Sequence, residues 1–522
     1  MQAYTLTVDK FLDHAAKWFA NREVVSSGVH RIGYAGLRER SNRLSGALAA
    51  LGLGFGSRLA TLAWNTQHHL EMYYAVMGAG LVCHTLNPRL TVAHLAAMVN
   101  EAEDRLLAVS ADLADLAQRL VIHCPSVETV VLLDGAPGQT PSFTGRRSVD
   151  LESLLAELGA EARWGNFDEE TPAGLCYTSG TTGAPKGVLY THRSNYLHTM
   201  RALQADAFAL TAADSVLVAV PMFHANGWGF PFAAPAVGAK LVLPGRHSDG
   251  AHLAKLIRDE GVTVAAGVQT VWQGLLDHLD STGGDVPTLE RILIGGSTCP
   301  DALIARMESR LKARVQTSWG MTELSPLGTV APARGKGRAI ASGRPPVGLD
   351  LKLTDAAGAT LPEQRNVTGH LKVKGASAVD RYFKANVSAL DAEGYFDTGD
   401  LASIDDDGHL TISGRSKDLI KSGGEWINPA EIETIIGRQP GVGLVAVIGR
   451  ADPKWGERPV LIVQPQQSHT LDDKALLAAL RGNVADWWIP DRVILVAHMP
   501  LAPTGKIDKN RLRAEYAGLG SG

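Results

Sequence analysis

Four aliphatic hydroxyls, three glycines and one lysine fall within the eleven residues Tyr177 to Gly187 of this 522-residue chain. The hydroxyls are Thr178, Ser179, Thr181 and Thr182; the glycines are Gly180, Gly183 and Gly187; the cation is Lys186. Glycines let a loop turn with positive φ and bring backbone N–H groups close to an anion. Hydroxyls donate to phosphate oxygens, and lysine adds a mobile positive charge. The run is not a Walker A loop, because Lys186 is preceded by Pro185 and followed by Gly187 instead of Ser or Thr. Many Ser/Thr/Gly runs are only surface turns. Here the length of the run and its apolar lead-in, Ala173 to Tyr177, point to phosphate binding.

Such a loop needs a scaffold, and the chain supplies an α/β one. Apolar strand-like runs alternate with helical stretches: 59–64, 81–85, 216–220, 240–243, 262–266 and 291–294 read as strands, and 67–80 reads as a helix. Glycines and loop residues follow several of these strands, where open α/β sheets bind ligands. The stretch 334–382, richer in Gly and Pro, predicts a small antiparallel or barrel-like element. Beyond 418 lie about 105 residues with their own βαβ-like pattern, enough for a small separate domain. The N-terminal residues 1–20 read as an amphipathic helix with Phe11, Leu12, Ala15 and Phe19 on one side and Asp9, Asp13 and Lys17 round the rest.

Composition excludes several classes. Apolar residues make up 45%, charged residues 20%, and the net charge is −4. A chain this long exceeds one ordinary core, so at least two domains are expected. The absence of a basic stretch argues against nucleic acid as a partner. Cys83, Cys124, Cys176 and Cys299 are far apart, which fits a reducing compartment better than a disulfide or zinc framework. No signal peptide or apolar run of spanning length is evident, so a cytoplasmic protein without a transmembrane segment is expected.

The loop resembles the phosphate-binding signature of the adenylate-forming superfamily, which includes acyl-CoA synthetases, luciferases and peptide-synthetase adenylation domains. Further motifs follow in that family's order across nearly the whole chain. The resemblance implies a large N-terminal domain, 1–416, and a small mobile C-terminal α+β domain, 417–522. It implies a fatty or related acyl-CoA synthetase using ATP, Mg²⁺ and coenzyme A, with medium-chain fatty acids as the first choice of substrate. Methylthioalkanoic, aryl or steroid side-chain acids are the alternatives, and a non-catalytic nucleotide sensor on the same fold is the rival from another class.

Residue by residue, the resemblance places Gly295, Gly296 and Ser297 beside the adenine. In Trp319-Gly320-Met321-Thr322-Glu323, the aromatic residue can stack on a purine, Thr322 can bind the α-phosphate and Glu323 can hold Mg²⁺. Asp400 would accept from the ribose hydroxyls, with Arg415 as the second ribose contact. His224, Asn226, Trp228 and Phe230 would line the acyl pocket, Trp228 matching a tryptophan that gates the tunnel in bacterial fatty acyl-CoA synthetases. Gln269 stands where related ligases often have Pro, and could hydrogen-bond a polar group on the acid. Lys417 matches the hinge. Lys421, Gly423, Gly424, Glu425 and Trp426 match the face that reaches the site for thioester formation. Lys506 matches the catalytic lysine, with Thr178, Lys186 and Glu323 assisting. Some relatives form homodimers.

Overall fold

The structure is a computed structural model and describes residues 1–135, 138–178, 185–297, 299–334, 341–423, 425–466, 469–502 and 505–516. Two large sheets dominate. One has seven strands in the order Arg147–Asp150, Thr129–Leu132, Leu106–Val109, Arg58–Leu62, Val82–Thr85, Pro172–Tyr177, Gly187–Thr191. The other has eight, in the order Leu327–Val330, Arg314–Gly320, Arg291–Gly295, Val264–Val268, Ser215–Val218, Lys240–Leu243, Glu23–Ser26, His30–Gly33. Most pairings are parallel, with antiparallel strands at the edges. The inner strands are continuous apolar runs because parallel strands are covered on both faces: Val82–Thr85, Leu106–Val109 and Ser215–Val218 are buried at every residue. Helix Gln67–Gly78 is likewise buried on every side. It belongs to the core cluster that joins residues of both sheets, as an all-round buried helix should.

A four-stranded antiparallel sheet follows, in the order Leu349–Thr354, Thr368–Gly375, Phe396–Ile404, Leu410–Arg415. It realises the barrel-like element read from 334–382 and continues well past it, because the motif around Asp400 is itself one of its strands. The chain then enters a separate sheet, Glu425–Ile427, Ile420–Ser422, Gly456–Pro465, Val442–Asp452, with Arg492–Leu495 paired to Gly456–Pro465. This small domain has its own core of Ile420, Ile432, Ile436, Val447, Leu461 and Val463.

Three registers set up the site. Tyr177 and Gly187 are cross-strand partners, so the hydroxyl-rich run is the connection of a hairpin. Parallel strands ending at Val268, Gly295 and Gly320 lie side by side. Asp400 is paired with Arg415 across an antiparallel ladder.

At the N-terminus the helix covers Asp9–Trp18, shorter than the 1–20 expected. Phe11, Leu12 and Ala15 are buried as predicted, but Asp9 is buried too and does not join the polar face. It sits in the first turn, where a carboxylate suits the helix dipole, and Lys10 pairs with it at 3.1 Å. Among the described residues no helix is long and apolar enough to cross a membrane.

Candidate active site

The hairpin connection is pinned at its base: the Thr178 amide donates to the Lys186 carbonyl at 2.9 Å, and the Lys186 amide donates to Thr178 Oγ1 at 3.3 Å. Ser179, Gly180, Thr181, Thr182 and Gly183 lie outside the described residues. The Lys186 ammonium stands 4.7 Å from the centre of the Tyr382 ring. The hydroxyl of the same tyrosine donates to Glu323 Oε1 at 2.9 Å.

Glu323 is buried in the short helical turn Thr322–Leu324, just past the strand that ends at Gly320. Three hydrogen bonds fix this turn. Tyr190 donates its hydroxyl to the Thr322 carbonyl at 2.8 Å, the Val379 amide to the Glu323 carbonyl at 2.8 Å, and Ser377 Oγ to the Leu324 carbonyl at 3.1 Å. The buried Arg201 guanidinium donates to Ser377 Oγ in turn, at 2.7 Å. Among the described residues no cluster of three or more His, Cys, Asp or Glu could cage a metal. A single buried carboxylate therefore fits magnesium completed by phosphate oxygens better than a protein-only metal centre.

The carboxylate of Asp400 is 2% exposed and held on both oxygens. Trp319 Nε1–H donates to Oδ2 at 2.8 Å, and Arg415 Nε pairs with Oδ1 at 2.8 Å. Burial pushes its pKa upward, while Arg415 and the indole donor oppose that rise. Each carboxylate oxygen keeps a second lone pair for a further donor. The sequence reading made Trp319 a purine platform. Here its indole is largely buried, and a Cβ on Gly328 would come within 2.3 Å of ring atom Cε3. Its N–H is directed at Asp400. Gly320 packs where a Cβ would meet the Pro326 carbonyl oxygen at 2.2 Å, and the Met321 amide donates to that carbonyl at 3.1 Å.

Lys506 arrives from the small domain. Its Cε lies 3.3 Å from where a Cβ on Gly296 would stand, and Gly296 has φ +88°. The preceding Gly505 packs on Val268 and Thr270. Desolvation lowers the Lys506 ammonium to about 8, with Arg415 pushing the same way and Asp400 and Glu323 opposing. Gly295 is buried and Ser297 is exposed beside this contact. The two domains are also joined by an ion pair, Arg438 Nη2 to Asp301 Oδ2 at 2.8 Å. Asn428 Nδ2 donates to the Ser413 carbonyl at 2.7 Å, across the segment that contains Lys417.

In the segment that the resemblance assigns to the acyl pocket, Ala225, Asn226, Gly227, Trp228 and Gly229 all have positive φ, making one left-handed turn. Three of the five are not glycine, at about 1–2 kcal/mol each, and such strain persists only where the surroundings enforce it. Asn226 is buried, donates to Asn195 Oδ1 at 3.4 Å and accepts from Cys176 Sγ at 3.8 Å. At Gly229 a Cβ would strike the His198 ring at 2.7 Å. The turn delivers Trp228 to Gly295, where a Cβ would be 3.2 Å from Cη2. Phe230 is fully buried and stacks on Phe208 at 4.7 Å, so its ring is committed to the core. His224 precedes the turn; desolvation, then the Lys506 cation, bring it down to about 4, so it is neutral near pH 7. Gln269 opens helix Gln269–Thr282 and is half-buried.

The residues that the resemblance assigns to thioester formation stand apart. Lys417 lies in the helical turn Ser416–Asp418 between the two sheets. Lys421, Gly423, Glu425 and Trp426 are exposed on the small-domain hairpin, and Gly424 lies outside the described residues. Lys421 Nζ is 5.5 Å from the Trp426 ring, and the Gly423 amide donates to the Trp455 carbonyl at 2.7 Å. Among the described residues their recorded contacts stay within the small domain. The structure thus brings Glu323, Asp400, Arg415 and His224 each within electrostatic reach of Lys506 and, among the described residues, leaves the hairpin outside. Sequence reasoning missed Tyr382, Tyr190 and the Asp301–Arg438 pair, none of which carries a local motif.

The profile described as AMP-binding enzyme matches residues 12–383, and that described as AMP-binding enzyme C-terminal domain matches 431–506. A 3-methylmercaptopropionyl-CoA ligase of Ruegeria pomeroyi is 41% identical over 99% of this chain and 98% of its own length. A medium-chain-fatty-acid–CoA ligase of Ectopseudomonas oleovorans is also 41% identical, over 99% of this chain and 97% of its own. Among solved structures, an anthranilate CoA ligase in complex with anthranoyl-AMP superposes with a TM-score of 0.89 at 21% identity, covering 98% of both chains, a likeness of fold. With the fold, the order of motifs and these full-length matches in agreement, the chain belongs to the AMP-binding enzymes, the adenylate-forming superfamily, in their acyl-CoA ligase branch.

Proposed function

We propose that the enzyme joins a medium-chain fatty acid to coenzyme A in two half-reactions at one site. The observation that carries this reading is the Lys506 ammonium, seated beside Gly296 with Asp400 and Glu323 as its counter-charges. In the first half-reaction a carboxylate oxygen of the acid attacks the α-phosphorus of ATP, and the bond to pyrophosphate breaks. Both reactants are anions, so neutralising charge and holding them in line are the main tasks.

Thr178, Lys186 and the loop residues between them bind the β- and γ-phosphates. Glu323, with phosphate oxygens, would hold Mg²⁺, which supplies charge neutralisation on the phosphates when bound. Thr322 and Lys506 meet the α-phosphate and the acid carboxylate. Asp400 and Arg415 take the ribose, and Gly295, Gly296 and Ser297 border the adenine. Neutral His224 orients the acyl group without moving a proton. In the second half-reaction the CoA thiol attacks the acyl carbonyl, its proton is lost, and AMP leaves. Rotation about Lys417, at the boundary between 1–416 and 417–522, withdraws Lys506 and presents Lys421 and the Gly423 to Trp426 hairpin.

A second reading keeps the chemistry and shortens the acid to a methylthio-substituted propionate, as in the Ruegeria relative. It is favoured by Trp228 abutting Gly295 and by the Phe230 ring being stacked on Phe208 in the core. The test is CoA-dependent AMP release with ATP and Mg²⁺ over acids from propionate to palmitate, with 3-methylthiopropionate, cinnamates and a steroid acid added. Each buried methylene contributes about 0.8 kcal/mol, close to fourfold, until the slot ends. A maximum at six to twelve carbons, as an order-of-magnitude range of roughly that length, supports the first reading. A maximum at methylthiopropionate supports the second. Silence across the panel with ATP bound refutes both.

A further inference from the structure

Tyr382 lies outside the motifs named above, yet it touches both charged groups assigned to the phosphates. Its ring face carries the Lys186 ammonium, and its hydroxyl donates to Glu323. We propose that Tyr382 is a positioning residue that holds Lys186 and Glu323 apart and aimed, so that neither charge neutralises the other before nucleotide and cation arrive. This rests on the nucleotide reading of the site.

The placement of the tyrosine is well determined. The segment from Ser377 to Phe383 is tied at one end to the Glu323 turn, through Val379 and Ser377. It is tied at the other end to the phosphate hairpin, where the Phe383 amide donates to the Gly187 carbonyl at 2.7 Å. Between these anchors the Tyr382 ring meets Phe396 edge-on at 6.4 Å. A direct Lys186–Glu323 ion pair would have to be broken before either group could meet its ligand. A neutral O–H donor and an aromatic face orient both charges while competing weakly for them. The two interactions are also separable: phenylalanine keeps the face and loses the donor.

The test is calorimetric titration of ATP at fixed Mg²⁺, and of Mg²⁺ at fixed ATP, into wild type, Tyr382→Phe and Tyr382→Leu, without acid or CoA. Tyr382→Phe should need about three times more Mg²⁺ for half-saturation, with ATP affinity at saturating Mg²⁺ within about twofold of wild type. Tyr382→Leu should show the same Mg²⁺ shift and also lose about fivefold in ATP affinity. Melting temperatures are recorded beside these. Phe and Leu variants matching wild type in both titrations would overturn the proposal. So would equal losses in both titrations that track a fall in melting temperature. Wild type that binds Mg·ATP but activates no acid sinks the ligase reading while leaving this one readable. Wild type that binds no Mg·ATP sinks both.

Discussion

The Asp400 region and the Lys421 hairpin belong to the same enzyme and are built on opposite principles. Asp400 is almost wholly buried, fixed by Trp319 and Arg415 on separate oxygens, in an inner strand of the four-stranded antiparallel sheet. The hairpin of Lys421, Gly423, Glu425 and Trp426 is exposed, and among the described residues its contacts lie within its own small domain. In the proposed mechanism Asp400 serves in both half-reactions and can be locked in place. The hairpin serves in only one and must remain free to leave. Lys506 is the informative intermediate: a small-domain residue caught in the large-domain site.

The comparison breaks most sharply at Lys506. Lys506→Ala should slow adenylation, read as acid-dependent pyrophosphate exchange, by at least about a hundredfold. The same variant should convert supplied acyl-adenylate and CoA to thioester at nearly the wild-type rate. Equal loss in both assays would mean that the lysine is not confined to one half-reaction.

A pH profile sharpens the same point. The lysine neutralises charge only when protonated, and its ammonium stands at about 8. Adenylation should therefore be level below that value and fall about tenfold per pH unit above it, before bound ATP shifts the limb upward. The thioester step from supplied acyl-adenylate should lack that limb. Stopped-flow assays of the two steps from pH 6 to 9.5 decide between one shared limb and two distinct profiles.

Locking is tested at Trp319. Trp319→Phe preserves a ring but removes the indole donor from a buried carboxylate, a loss of about 1–2 kcal/mol. The KM for ATP should rise about tenfold while the KM for the acid stays within about twofold. A parallel rise in both would show that the ring supports the fold more than it aims Asp400.

The smallest effect is expected between the domains. Arg438 and Asp301 are partly exposed, so their pair contributes only about 0.2–1 kcal/mol. Arg438→Glu should lower adenylation about two- to fivefold and leave the thioester step unchanged. Adding Asp301→Arg should restore it. A double variant no better than the single would remove this pair from the control of domain orientation.

Much of this arrangement could be read from the residues alone, for identifiable reasons. The strand Lys240–Leu243 and the buried run Pro172–Tyr177 follow from local apolarity; the motifs around Lys186 and Glu323 fall beside strand ends, and that around Asp400 lies within the strand Phe396–Ile404. What escaped is what depends on distant partners. Trp319 reads as a platform for a base because aromatic residues beside glycines so often are; only its partner on another sheet reveals the donor role. Tyr382 is 59 residues from Glu323, and nothing in its immediate neighbourhood signals a phenol aimed at a carboxylate. Asp9 looked like a surface residue because periodicity counts a carboxylate as polar whether or not a lysine and a helix end enclose it. The left-handed run was invisible because only two of its residues are glycine.

That run carries a stereochemical consequence. From Ala225 to Gly229 the backbone follows the hand that suits mirror-image amino acids. Chirality, more than size or polarity, is therefore the filter on these positions. A D-alanine introduced at 225 by semisynthesis should be accommodated at lower cost than the natural L-residue. An L-residue at Gly229 is disfavoured twice, since its Cβ meets both an unfavourable hand and the His198 ring. A stretch of left-handed backbone thus orients the tryptophan that packs against Gly295.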